Sequence, residues 1–239
     1  MLNKLFKRKT KSSGPKTRFG KVLRVLRNLL IIFLIITILP VIIYKWVNPP
    51  VTPLMIIRKF QGNDIKKDWM PIEKMTTDLP QAAVAAEDDG FMTHHGFDMD
   101  ALKQAYKKNQ QNPDMIRGGS TISQQTAKNV FLWPHRDYVR KALEAWFTVL
   151  IEFIWGKERI MEVYLNVVEM GEGIYGMEAA SQEYFKKPAS KISRQQAAGL
   201  IAVLPNPHIY KVVNPSAYTQ RYKYAIIARM YKMPKVKFD

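Results

Sequence analysis

Four short stretches of this sequence carry residue types that could do chemistry. In Glu87-Asp88-Asp89-Gly90-Phe91-Met92-Thr93-His94-His95-Gly96, an apolar run (Ala82, Ala83, Val84, Ala85, Ala86) breaks into three carboxylates. A glutamate at such a boundary can be half desolvated, which raises its pKa toward the range useful for proton transfer. A plain charged helix end has the same local pattern. His94 and His95 are adjacent, so they point differently, and with no HExxH-type pair no metal site is expected. In Arg117-Gly118-Gly119-Ser120-Thr121-Ile122-Ser123-Gln124-Gln125-Thr126-Ala127-Lys128-Asn129, paired glycines lead into hydroxyls, amides and then a lysine. That composition suits a phosphate-facing loop at a helix N-terminus, and it suits an ordinary Gly-Ser helix cap equally well. The GxxxxGK[ST] order is absent, so it is not a Walker loop. In Arg140-Lys141-Ala142-Leu143-Glu144, Arg140 and Glu144 share one helix face at i, i+4, as a surface ion pair of little energetic value also would. In Lys157–Asn166 (KERIMEVYLN), Glu162 and Asn166 share one face of an amphipathic helix.

These residues need helices to position them. Helical periodicity predicts elements over Leu79–Asp88 (capped by Asp78, with Pro80 in the first turn), Met99–Lys108, Ser123–Val130, Tyr138–Trp155 and Lys157–Val168. Further helices are expected over Gly176–Tyr184, Arg194–Val203 and Ala217–Tyr231. No alternating strand run and no internal repeat stands out. The class is mainly α.

The chain has 239 residues and a net charge of +17, which invites a nucleic-acid reading until its distribution is examined. Thirteen of the 37 bases precede Asp64, the first acidic residue. The remaining 24 bases against 20 acids leave only about +4 over the body of the chain. Between Asn28 and Tyr44 there is no charge at all. With its flanks from Val25 to Val47 this run reaches about 35 Å as a helix, enough for one bilayer core. Lys45, Tyr44 and Trp46 suit the interface, and no small-residue cleavage site follows, so an uncleaved anchor is expected. Eight bases in Arg8–Arg27 against three in Tyr44–Asn63 place the N-terminus in the cytoplasm and the rest outside. That counts against a nucleic-acid partner, and none is expected. The expected organisation is a disordered basic cytoplasmic tail at 1–21, a transmembrane anchor at 22–47, a stiff Pro-rich linker at 48–53 and one domain at 54–239. With no cysteine, disulfides, thiolate zinc and a catalytic thiol are all excluded.

In order, the four stretches resemble the peptidoglycan glycosyltransferases, which occur as domains of bifunctional penicillin-binding proteins and as free-standing enzymes. The pattern EDxxFxxHxG matches at Glu87, Asp88, Phe91, His94 and Gly96. GGSTIxQQxxKN matches at Gly118, Gly119, Ser120, Thr121, Ile122, Gln124, Gln125, Lys128 and Asn129. RKxxE matches at Arg140, Lys141 and Glu144, and the fourth pattern matches at Lys157, Ile160, Glu162, Tyr164, Leu165, Asn166, Gly171 and Gly176. The Ser-Gln-Gln-Thr-Ala-Lys-Asn variant followed by Phe131-Leu132-Trp133 looks most like the monofunctional members, and Gln196 departs from a glutamate common in the family. The resemblance covers roughly residues 48–232.

It implies a lysozyme-like α fold with a small membrane-proximal lobe. The implied reaction joins a growing lipid-linked glycan to lipid II with inversion, Glu87 acting as general base and Glu144 assisting, as an orienting group or as a holder of a divalent ion. Lys128, Arg136 and Arg140 would neutralise the leaving pyrophosphate, while Ser120, Thr121, Gln124 and Gln125 would hold sugar and phosphate oxygens. Asp88, Phe91, His94, Gly119, Asn129, Lys141, Glu162 and Asn166 complete the implied substrate site. No cofactor is required, with a divalent cation (Mg or Mn) an option at the pyrophosphate. The implied partners are lipid II, the membrane and other cell-wall synthesis proteins, at the inner membrane with the catalytic domain periplasmic. A rival reading is a lysozyme-like lytic enzyme acting on finished glycan, which would need the glutamate but not the three cations or an anchor. A non-catalytic membrane scaffold is the third, disfavoured by the intact polar motifs. A transpeptidase is not expected, because the only Ser-x-x-Lys is Ser13–Lys16 in the tail and no Lys-Thr-Gly follows.

Overall fold

The computed structural model describes residues 18–111, 119–135 and 137–238, in two units divided after Pro40. The first 17 residues, most of the expected tail, and Arg136 and Gly118 of the expected site lie outside the described residues. The helix α1 runs Arg18–Trp46, so residues 18–21 are its first turn rather than tail. Up to Pro40 its apolar side chains are exposed on every face, among them Leu26, Leu30 and Ile36. A helix apolar all round needs a nonpolar surrounding.

In the second unit, Val41–Trp46 is fastened to the domain. The Trp155 indole N–H donates to the Val41 carbonyl at 2.7 Å, Arg159 donates to the Tyr44 and Val47 carbonyls, and the Tyr44 ring stacks on Phe131 at 6.1 Å. The linker is tied as well: Lys67 donates to the Pro49 and Pro50 carbonyls and Arg159 to the Asn48 side chain. Thr52 ends it as an N-cap, accepting from the Met55 N–H, and α2 (Pro53–Phe60) follows with proline at its first position. Periodicity alone did not reveal α2, because an eight-residue helix spans only two turns.

After α2 come β1 (Lys66–Lys67), a 3-10 turn at Ile72–Lys74, α3 (Asp78–Glu87), α4 (Met99–Gln111), α5 (Ile122–Phe131), α6 (Tyr138–Ile154) and α7 (Lys157–Val167). Then follow β2 (Glu169–Gly171), β3 (Ile174–Tyr175), α8 (Met177–Phe185), α9 (Arg194–Ile201) and α10 (Ala217–Lys232). The mainly α expectation holds. The strands form one small sheet in the order β1-β3-β2, parallel at β1·β3 and antiparallel at β2·β3. Strands of two or three residues are too short to alternate visibly. Gly173 turns the hairpin at φ +70°, against the Asp64 carbonyl, where a Cβ would collide.

Two helix groups make the core. In the first, α3 packs against α9 and α10. Leu79 through Ala85 are all buried, and the small alanines let neighbours close on every side. In the second, α5 lies against α6 and α7. Asp78 does not cap α3 as expected; Thr77 is the N-cap residue, and the Asp78 carboxylate instead accepts from Arg194 Nε at 2.8 Å, tying α3 to α9. At α9, Ser193 and Gln196 form a reciprocal capping box. The glutamine at 196 therefore does what a glutamate there would do.

Candidate active site

The site is built where the end of α3 meets the start of α5. Asp88, the C-cap of α3, is buried, and its carboxylate accepts from the Ile122 N–H at 2.9 Å and from His94 Nε2 at 2.8 Å. An anion on the first turn of α5 also meets the positive end of that helix. The Gly96 N–H donates to His94 Nδ1 at 3.0 Å, so the ring proton sits on Nε2, facing Asp88. Gly96 has φ +89°, and a Cβ there would stand 2.7 Å from Thr148 of α6. Its carbonyl accepts from the Thr121 hydroxyl at 2.7 Å. The first two motifs are thus one welded corner.

Several residues expected to hold substrate do this welding. Thr121 and Gln124 form a buried capping box at the start of α5, so their polar atoms are turned to backbone groups. Phe91 is fully buried, with the Lys157 ammonium over its ring at 4.7 Å. Lys157 in turn pairs with Glu152, which also accepts from the Ser123 hydroxyl. Asn166 is fully buried and brackets Met70, accepting from its N–H and donating to its carbonyl, both at 2.9 Å. Glu162 pairs with Arg159 and accepts from the Ile72 N–H. The fourth motif therefore shapes the loop before α3.

Glu87 ends α3 with its carboxyl set among protein atoms, and burial pushes its pKa up. Gln125 Nε2 donates to Glu87 Oε2 at 2.8 Å, and this bond and the Lys128 charge pull the other way. The Gln125 carbonyl faces the buried Tyr164 hydroxyl at 3.5 Å, which sets the amide so that its NH2 group meets the carboxylate. Gln125 and Lys128 are three residues apart on α5 and share a face. From α10, Arg229 donates to the Ala85 carbonyl at 3.2 Å and Tyr222 to the Ala86 carbonyl at 3.4 Å. They satisfy acceptors that α3 leaves open at its C-terminus. Burial pushes the Tyr222 hydroxyl up to about 12, with Glu87 nearby adding to it. Sequence spacing carried no sign of Tyr222 or Arg229, which lie some 140 residues from their partners; Tyr164 sat in the fourth motif unassigned.

Each residue of the Glu87–Gln125 contact walls a cleft of its own. One, of about 300 Å³, is walled by Glu87, Asp88, Asp89, Gly119, Ser120 and Arg229. The other, of about 210 Å³, is walled by Gln125, Lys128, Asn129, Trp133 and Arg58. The third motif is an ion cluster: Glu144 is buried and accepts from Arg140 Nη1 at 2.7 Å and from Lys141 Nζ. Arg140 is buried too, and its Nε has no hydrogen-bond partner among the described residues, whereas half of the Lys141 side chain is exposed. One carboxylate against two cations leaves a site that attracts anions rather than a metal ion, so the cluster does not fit a resident divalent ion.

Replacing Gln125 with leucine should move the acid limb of the rate profile to higher pH. The bond from Gln125 favours the Glu87 carboxylate, so its loss raises a pKa that burial has already raised. Were Glu87 the proton acceptor, it would work deprotonated, so more alkali would be needed to reach full rate. The check is a pH series of turnover; an unmoved limb would mean that Gln125 does not tune the group that limits the rate.

A transglycosylase family model matches residues 55–231. Among similar proteins, the biosynthetic peptidoglycan transglycosylase of Caulobacter vibrioides is 54% identical over 204 residues, covering 84% of this chain and 89% of the relative. The protein of that name from Bdellovibrio bacteriovorus is 52% identical over 186 residues, 74% and 73% of the two chains. The one from Bacteroides thetaiotaomicron is 48% identical over 221 residues, 90% and 89%.

Proposed function

The chain belongs to the transglycosylase family, with its lysozyme-like fold, and is a peptidoglycan glycosyltransferase; on that premise we propose that it polymerises lipid II with Glu87 as general base. The observation that carries the base assignment is the half-buried Glu87 carboxyl, its pKa raised by burial, at the wall of one cleft and held by a donated bond from Gln125, which walls the other. In the proposed step a sugar hydroxyl of lipid II loses its proton to Glu87 as its oxygen bonds to the anomeric carbon of the growing chain. The bond from that carbon to the lipid pyrophosphate breaks on the opposite face, so configuration inverts. No second carboxylate nucleophile is needed.

The charges divide the clefts. The side with Glu87, Asp88 and Asp89 suits sugar hydroxyls, and the side with Lys128 suits pyrophosphate, Arg58 there being paired with Glu169. Lys128 is the first candidate to meet the developing charge, with Lys141 and Arg136 beside it in the proposal. Arg140, being buried, acts through Glu144 by holding that carboxylate in place. A divalent ion would have to take its ligands from the pyrophosphate itself, and no step is routed through it. Partner proteins of cell-wall synthesis remain a proposal that rests on the activity alone.

The helix α1, the one helix among the described residues long and apolar enough to cross a membrane, supports a single-pass anchor. Its basic lead supports an N-terminus inside, a domain outside and residence in the inner membrane. A stripe on α6 (Tyr138, Val139, Val149, Phe153) is apolar and exposed, Phe153 to 90%, which supports a lobe that meets lipid. A reporter fused after Asp239 should be active only outside the cytoplasmic membrane, and the chain should resist carbonate extraction. Activity of the fusion in the cytoplasm would overturn the orientation. The function itself is tested by incubating the purified chain with lipid II and separating the products.

A further inference from the structure

Asn48–Val51 of the linker make no backbone–backbone hydrogen bond among the described residues. Two cations of the domain take up the carbonyls instead. Arg159, on α7, donates through Nε and Nη2 to the Tyr44 carbonyl at 3.1 and 2.9 Å. Its Nη2 also donates to the Val47 carbonyl at 3.1 Å, and its Nη1 to the Asn48 side chain at 3.0 Å. Tyr44 lies in the last turn of α1, where carbonyls lack partners within the helix and a cation meets the negative end. Lys67, on β1, donates to the carbonyls of Pro49 and Pro50, two residues with no N–H to tie them down. The Trp69 ring lies within cation–π reach of both, 5.3 Å from Arg159 and 5.4 Å from Lys67. Burial lowers the pKa of each cation, so both are kept out of water at a cost that a loose spacer would not require. Neither walls a cleft of the Glu87–Gln125 corner.

We propose that Arg159 and Lys67 are positioning residues, which make the linker a collar that fixes on the domain the point where the chain leaves the membrane. The site is thereby held at the height where a membrane-bound lipid pyrophosphate presents itself. The inference rests on the readings of α1 as an anchor and of lipid II as the substrate. The collar grips the helices that carry the site. Arg159 shares α7 with Tyr164, whose hydroxyl faces the Gln125 carbonyl. The Tyr44 ring stacks on Phe131, the last residue of the helix that carries Gln125 and Lys128. Trp155, the C-cap of α6, holds the Val41 carbonyl. Glu162 pairs with Arg159 Nη1 at 2.6 Å, so every guanidinium nitrogen is bonded and the fork has one orientation. A substrate tethered by its own lipid and a site tethered by an anchor meet productively only if reacting atoms come within about 3–3.5 Å, which a swinging linker would rarely allow.

The test uses the full chain in lipid vesicles, unaltered and with Arg159→Ala, Arg159→Lys or Lys67→Ala. The chain has no cysteine, so a dye on Glu172→Cys or, separately, on Lys191→Cys, both exposed, reports height by energy transfer to an acceptor in the headgroup layer. Turnover is read on long-chain lipid II in the vesicles and on a short-chain lipid II analogue in detergent, where nothing has to meet at a membrane. Arg159→Ala should shift the transfer and lower turnover in vesicles by about 10-fold or more, with the detergent rate kept within about 2-fold. Arg159→Lys keeps the charge without the fork and should fall between. Lys67 pairs with no carboxylate among the described residues, so Lys67→Ala should fold and show the same split more weakly, even if Arg159→Ala does not fold. Equal loss on both substrates would overturn the inference, because the residues would then merely support the fold. Unchanged transfer and turnover in vesicles would overturn it too. If the unaltered chain makes no polymer from either substrate, the functional reading falls and the energy transfer alone decides the collar.

Discussion

Glu87→Gln should lower polymerisation of lipid II by about 100-fold or more while leaving the fold intact. The substitution keeps the shape, and the new side-chain carbonyl can still accept from Gln125, so the corner of α3 and α5 is preserved. What is lost, in the proposed step, is the basic oxygen that takes the proton from the attacking hydroxyl. The measurement is turnover on lipid II beside a melting curve. Near-normal turnover by a folded variant would remove Glu87 from the mechanism.

Lys128→Ala should lower the rate on lipid II by roughly 10- to 1000-fold, mostly in turnover rather than in binding. The pyrophosphate gains charge as it leaves, so a cation on its cleft matters most in the transition state. Lys128 also lowers the Glu87 pKa through space, so its loss has a second consequence. The two effects separate by pH. The part that comes through Glu87 is recovered in alkali, where the carboxyl is ionised anyway, and the part that comes through the leaving group is not. Lys128→Arg should be partly active if charge outweighs shape. A loss that disappears wholly at high pH would assign Lys128 to tuning the base alone.

Much of this architecture could be read from the chain because its helices are long and their apolar spacing is regular. The predicted bounds of α5, α6, α7 and α10 lie within a residue of those observed. What periodicity did not show is short: α2, two turns long, and three strands of two or three residues that pair with segments far away in sequence. The site divides in the same manner. The first two motifs are brought together, with Glu87, Gln125 and Lys128 at one corner. Motif membership does not separate a residue that can touch substrate from one that holds the corner. Thr121-x-x-Gln124 spells a capping box in the sequence itself, yet its polar side chains read as ligands once placed beside a glycine loop. Their exposure differs: Asn166, Phe91, Asp88 and Arg140 are buried, and Ser120 and Lys141 keep a surface open. Tyr222 and Arg229 were unreadable for another reason, because they bond to carbonyls of α3 that only the tertiary fold brings near.

The central claim, that this chain builds glycan from a lipid pyrophosphate rather than cutting finished glycan, is tested most directly by two substrates in parallel. The purified chain is given lipid II, and separately purified sacculi, each with and without Lys128→Ala. The account predicts polymer from lipid II, a sharp fall with Lys128→Ala, and no fragments from sacculi. Release of fragments that survives Lys128→Ala, with no polymer from lipid II, would contradict it and mark the chain as a lytic enzyme.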